Sequence, residues 1–163
     1  MTQPAAAPRF SSLLGADSCW IAEGARDKWA AIADVLDRLV AAGKVPAERR
    51  DAYHAALVER ERSMSTGMEQ GVALPHAAVD GLVDLVVGLV VFKSGVPFQS
   101  IDGRPARILV LLLIPKERRL AYLPVLADAA RLLARDAARA RLLAAQSPGE
   151  VRDAIAAAEA AAA

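Results

Sequence analysis

The sequence predicts an α/β fold, a mixed sheet of about five strands sandwiched between helices. Helical periodicity marks both ends of the chain, while two near-continuous apolar runs, "LVVGLVVF" and "ILVLLLI", occupy the middle. An Asp102-Gly103 pair stands ahead of the second run and marks a tight turn. Apolar runs of this length are expected of strands covered on both faces, and helices supply the cover. The chain has 163 residues, enough for one domain with a sizeable core.

Residues 1–9, with two prolines and no pattern, read as a flexible leader. Residues 10–155 read as a single domain, and 156–163 as an alanine-rich tail that frays. A short strand is expected at 18–21. Residues 26–42 form a helix whose Trp29, Ile32, Ala33, Leu36, Leu39 and Val40 fall on one face, with Gly43 as its stop. Pro46 suits the first turn of a second helix running to about residue 62, its apolar side built on Ala52, Ala56 and Leu57. The "VALP" stretch is a short strand candidate, and 84–92 a longer one. Residues 98–101 and 106–114 read as two strands joined by the Asp102-Gly103 turn, with Pro105 tolerated at a strand start. From Tyr122 the chain is helical again, with Leu123, Leu126, Ala130 and Leu133 as its stripe and Pro124 in the first turn. A short helix follows over 136–145. Ser147 and Glu150 then form a capping box around Pro148, opening the last helix.

Hydrophobic residues make up 55% of the chain and aromatics only 4%, so the core is aliphatic. Twenty basic residues against 19 acidic leave a net charge of +1, without the basic stripe a nucleic-acid binder needs. Arg131, Arg135 and Arg139 read as a solvated helix face. The single cysteine, Cys19, excludes an intrachain disulfide and a thiolate zinc site and is expected to be buried. The N-terminus lacks the apolar stretch of a signal peptide, and the apolar runs fall short of the ~20 residues of a membrane span. A soluble cytoplasmic protein with no direct membrane insertion is expected.

The chain holds two histidines, and one closes the stretch "STGMEQGVALPH". A loop bounded by Gly67 and Gly71 leaves backbone N–H groups free, and Ser65 and Thr66 add hydroxyls, a donor set that suits an anion such as a phosphoryl group. Pro75 fixes its own φ and pushes Leu74 towards an extended conformation, so His76 projects in a set direction. A neutral imidazole can attack phosphorus through one nitrogen while a hydrogen bond holds the other. Arg60 is the nearest cation in sequence. At ~4 Å and an effective dielectric of ~20 one charge pair is worth ~4 kcal/mol before desolvation. The other candidates are weaker. His54 lies mid-helix beside Tyr53, and Gly81 between Asp80 and Asp84 favours a turn over helical metal geometry. No nucleophile elbow surrounds any serine, which argues against a Ser65–His76–Asp hydrolase. Trp20 and Trp29 read as core or edge packing.

The stretch "RERSMSTGMEQGVALPH" resembles the motif of enzyme IIA domains of the bacterial phosphotransferase system, of the fructose/mannitol and nitrogen-regulatory type. That motif reads Arg-Glu, three residues, then Ser-Thr-Gly-Ile-Gly-Asn-Gly-x-Ala-x-Pro-His. Arg60, Glu61, Ser65, Thr66, Gly67, Gly71, Ala73, Pro75 and His76 fall in register with it. The likeness extends from about residue 10 to 155, through "AAGKVPAERRDAYHAALVERE", "PFQSIDGRPARILVLLLIP" and "RLLAAQSPGEV". It implies a phosphocarrier in which His76 accepts a phosphoryl group from an HPr-type protein. The group then passes to an enzyme IIB partner or serves as a regulatory signal. It implies no metal or organic cofactor. Arg60, Ser65, Thr66, Gly67 and Gly71 would stabilise the phosphoryl group.

Three departures stand out. Glu69 and Gln70 replace the motif's second glycine and its asparagine, Ala77 replaces the usual glycine after the histidine, and Tyr122 stands where the family has a second histidine. A Glu69 carboxylate near the site would oppose the phosphoryl group with an energy like that of Arg60's attraction. Tyr122 can donate a hydrogen bond but carries no positive charge. The alternative reading is therefore a non-transferring regulatory binding module on the same fold.

Overall fold

A computed structural model describes residues 8–162. Most of the expected leader lies outside them. Strand β1 (Cys19–Gly24) is followed by helices α1 (Lys28–Ala41) and α2 (Arg50–Ser63). Two short strands, β2 (Val72–Ala73) and β3 (His76–Val79), precede the long pair β4 (Val86–Val96) and β5 (Ala106–Pro115). Helices α3 (Arg119–Leu133), α4 (Asp136–Ala144) and α5 (Pro148–Ala162) complete the fold. The sheet is mixed and five-stranded. β1 runs parallel to β4, β4 antiparallel to β5, and β2 and β3 both parallel to β5, so β3 lies at a sheet edge.

Alternation along β5 assigns the two faces. Ile108, Val110, Leu112 and Ile114 pack under α3, α4 and α5 with Phe10, whereas Leu109, Leu111 and Leu113 pack under α1 and α2. The expected sandwich is thus present, with a core on each side of the sheet. Cys19 is buried, and its thiol is pushed up to about 12, chiefly by desolvation.

Several local expectations are corrected. Residues 98–101 form no strand. β4 itself pairs with β5, and the connection passes through a turn closed by the Gly103 N–H donating to the Ser100 carbonyl. α2 begins at Arg50, after a 3-10 turn over Ala47–Arg49, and its buried face is Tyr53, Leu57 and Glu61, while Ala52 is exposed. α3 begins three residues before Tyr122, which places Pro124 in its second turn instead of its first. Arg139 is buried: it donates to the Leu133 carbonyl and pairs with Asp136, so only Arg131 of the three arginines is fully on a solvated face. The alanine-rich tail is helical through Ala162, because Ala158 is buried and Glu159 accepts from the Ser11 N–H at 2.8 Å and from the Ser11 hydroxyl. The capping box is shifted by one residue. Ser147 Oγ accepts from the Glu150 N–H, but the Glu150 carboxylate accepts from Gln146 N–H.

Candidate functional site

His76 opens β3, and the chain leading into it explains why. Pro75 cannot donate, but its carbonyl accepts from Leu112 N–H, which anchors the edge strand to β5 in the register His76 opposite Leu112. Leu74, between β2 and the proline, turns its carbonyl to within 2.7 Å of His76 Nδ1. A carbonyl only accepts, so Nδ1 carries the proton and the lone pair is left on Nε2. Burial lowers the histidine's pKa below its ordinary 6.5. The Leu74 hydrogen bond pulls the other way, the Arg60 charge lowers it further, and Glu61 raises it. The ring is therefore neutral at pH 7, with one nucleophilic nitrogen.

The half-buried His76 side chain lines a cleft of about 550 Å³. The last turns of α2 contribute Glu59, Arg60 and Ser63 to it. α3 contributes Arg119, Leu123 and Leu126, and β3 adds Ala77 and Ala78 beside the histidine. Arg60 Nη1 donates to the Met64 carbonyl at 3.1 Å, which steadies the guanidinium where α2 ends.

The glycine-bounded loop is arranged differently from the anion cradle expected of it. Ser65 Oγ donates to the Phe98 carbonyl at 2.7 Å and accepts from the Gly67 N–H. Thr66 is buried, and both its N–H and its hydroxyl donate to the Glu61 carboxylate, at 3.0 and 2.6 Å. Lys28 Nζ meets the same carboxylate at 3.2 Å in a fully interior ion pair and also donates to Gln99 Oε1. Gly67 is glycine because a Cβ there would stand 2.8 Å from the Phe98 oxygen. Gly71 has a φ of +73°, and its carbonyl accepts from both Arg107 and Ile108 N–H. Ser65, Thr66, Gly67 and Gly71 thus serve the loop's own architecture, and none of them lines the cleft. Of the expected phosphoryl-stabilising residues, only Arg60 shares the cleft with His76.

Glu69 is exposed and borders a separate hollow with Gln70, Ile101 and Arg139. It is not among the residues that line the His76 cleft. Tyr122 is buried in the α3 core, with its hydroxyl 3.5 Å from Asp84 Oδ1 and its ring under the Arg118 guanidinium at 5.0 Å. Asp84 is paired with Arg118 at 2.9 Å, and Asp80 lies outside any helix. His54 is half-buried mid-helix and does not line the cleft. Trp29, in the first turn of α1, is half-buried under Lys28 and Arg62, and Trp20 packs on the α1 side of the sheet.

Sequence reasoning missed Arg119, Ser63 and Glu59. Arg119 was recoverable, since Arg119, Leu123 and Leu126 recur at the four- and three-residue steps of one helix face. Starting the helix at Tyr122 hid that pattern.

With this geometry the chain matches, over residues 12–158, the family model described as "Phosphoenolpyruvate-dependent sugar phosphotransferase system, EIIA 2". A fructose-specific EIIA component of Haloferax volcanii is 35% identical over 129 residues, covering 79% of this chain and 82% of that protein. Among solved structures, the nitrogen regulatory protein IIA-Ntr of Neisseria meningitidis superposes with a TM-score of 0.79 at 24% identity, covering 89% of this chain and 97% of the other. Enzyme IIA of the mannitol system of Escherichia coli, in complex with phosphorylated enzyme IIB, superposes at 0.69 and 22% identity, covering 88% and 97%. At those identities the structural likeness is one of fold. The chain belongs to the enzyme IIA family of the phosphoenolpyruvate-dependent sugar phosphotransferase system. No helix among the described residues is long and apolar enough to cross a membrane.

Proposed function

We propose that this chain is a phosphocarrier that accepts a phosphoryl group on His76 Nε2 from an HPr-type protein. It hands the group to an enzyme IIB partner or uses it as a regulatory signal. One observation carries the reading. The Leu74 carbonyl occupies Nδ1, leaving an unprotonated Nε2 in a cleft that also holds Arg60. In the transfer, Nε2 donates its electron pair to phosphorus as the bond from phosphorus to the donor imidazole breaks. The donor ring leaves with that bond's electrons and becomes neutral. Nδ1 of His76 keeps its proton throughout, so the positive charge gained by the ring faces the Leu74 carbonyl. Arg60 offsets the charge of the three phosphoryl oxygens. The test is incubation with phosphoenolpyruvate, enzyme I and an HPr-type carrier shown to be active, followed by intact mass. A gain of one phosphoryl group, absent in His76→Gln, is expected, and no gain in the parent chain refutes the reading.

A second reading, the non-transferring regulatory module, has Tyr122 in its favour, because that ring is turned into the core instead of the cleft. It requires that the parent chain stay unlabelled and that Tyr122→His combined with Glu69→Gly acquire the label.

A further inference from the structure

We infer that Arg119 is a second phosphoryl-binding arm, reaching across the cleft from α3 to meet a group carried on His76, in the role that Tyr122 does not fill. This rests on the phosphoryl chemistry of His76 proposed above. Three features of the cleft lead there. Arg60 and Arg119 belong to different walls, α2 and α3, with the histidine strand beside both. Arg60 is near enough to lower the imidazole pKa. Arg119 lines the same cleft and is exposed, so its side chain has room to turn towards a group carried on His76. Lastly, the neighbours of Arg119 are already engaged. Arg118 is paired with Asp84 and stacked on Tyr122, and Tyr122 is packed in the core. Arg119 makes no ion pair among the described residues.

The charge balance agrees. The titratable groups lining the cleft are Glu59, Arg60, His76 and Arg119. With a neutral histidine, two guanidinium groups and one carboxylate leave the empty cleft with one net positive charge. A phosphoryl group brings up to two negative charges and three acceptor oxygens, the shape a guanidinium fork matches. Removing Arg119 would leave Arg60 alone opposite Glu59.

The experiment labels His76 without a protein partner. Phosphoramidate, in a His54→Gln background, transfers its phosphoryl group to Nε2 as its P–N bond breaks and ammonia leaves. The phosphoryl group is then titrated by ³¹P NMR. Arg119→Gln is expected to raise the phosphoryl pKa by roughly one unit. Arg119→Lys should recover part of the shift, and Tyr122→Phe should leave it at the parent value. In single-turnover transfer from a phosphorylated HPr-type carrier, Arg119→Gln should be slower by about 10- to 100-fold with an unchanged unfolding midpoint. An unshifted titration in Arg119→Gln overturns the inference, as does an equal shift in Tyr122→Phe or a His76 that phosphoramidate cannot label. If the Arg119-dependent shift appears but the protein carriers never label the parent chain, Arg119 stands and the phosphocarrier reading falls.

Discussion

The two halves of the "RERSMSTGMEQGVALPH" stretch are built on opposite electrostatic plans. At Glu61 and Thr66, charge is enclosed: a carboxylate and an ammonium inside the protein satisfy each other, a threonine and Gln99. At His76, charge is left open: one half-buried imidazole, one accepted proton, and arginines facing a cleft. Residues adjacent in one motif thus divide into those that shape the loop and those left for an incoming group. Glu61 follows Arg60 directly, yet the two point to different tasks because successive helical positions are ~100° apart.

Substitutions can break or sharpen that division. The largest effect is expected at the open end, where His76→Gln should abolish phosphorylation by the carrier, read by intact mass, with the unfolding midpoint nearly unmoved. At the enclosed end, Glu61→Ala leaves Lys28 interior and unpaired and strips Thr66 of its acceptor. Urea denaturation should show about 3–5 kcal/mol of lost stability. Arg60→Gln, on the cleft wall, is expected to slow transfer by ~10- to 100-fold and to raise the His76 pKa, which proton NMR can follow. The pH dependence is smaller still. Because burial holds the folded His76 pKa below 6.5, the labelling rate should stay flat from neutrality down to that pH and fall only below it. The unfolded chain takes up the proton first as pH drops, so the stability linked to His76 also declines below 6.5, and His76→Gln should flatten that slope. The smallest effect is expected of Glu69→Gly, since Glu69 is exposed beside a different hollow, and transfer should match the parent within twofold. A large gain there would return Glu69 to the site.

The long apolar strands, the mixed sheet and its helical cover were legible because burial on both faces imposes composition directly, as in β5. Elements whose identity depends on distant partners were not. The 98–101 segment is apolar enough for a strand, yet β4 already occupies the β5 edge. Likewise, the tail helix persists because Ser11 ties Glu159, a contact across 148 residues. At the site, the sequence pointed to His76 and Arg60. Ser65 and Thr66 offered the same donor groups as an anion cradle does, and only packing reveals that Glu61 and the Phe98 carbonyl take them. Arg119 was obscured by a helix boundary misplaced by three residues, the weakest kind of sequence inference.

The Ser11–Glu159 link brings the beginning and end of the described chain side by side, and neither residue borders the His76 cleft. Polypeptide leading into Ser11 and away from Glu159 therefore passes through one shared region of the surface. A covalent neighbour could be attached before or after this domain without changing what the imidazole meets, and joining the chain near Ser11 to the chain near Glu159 while opening a loop elsewhere should yield a working permutant.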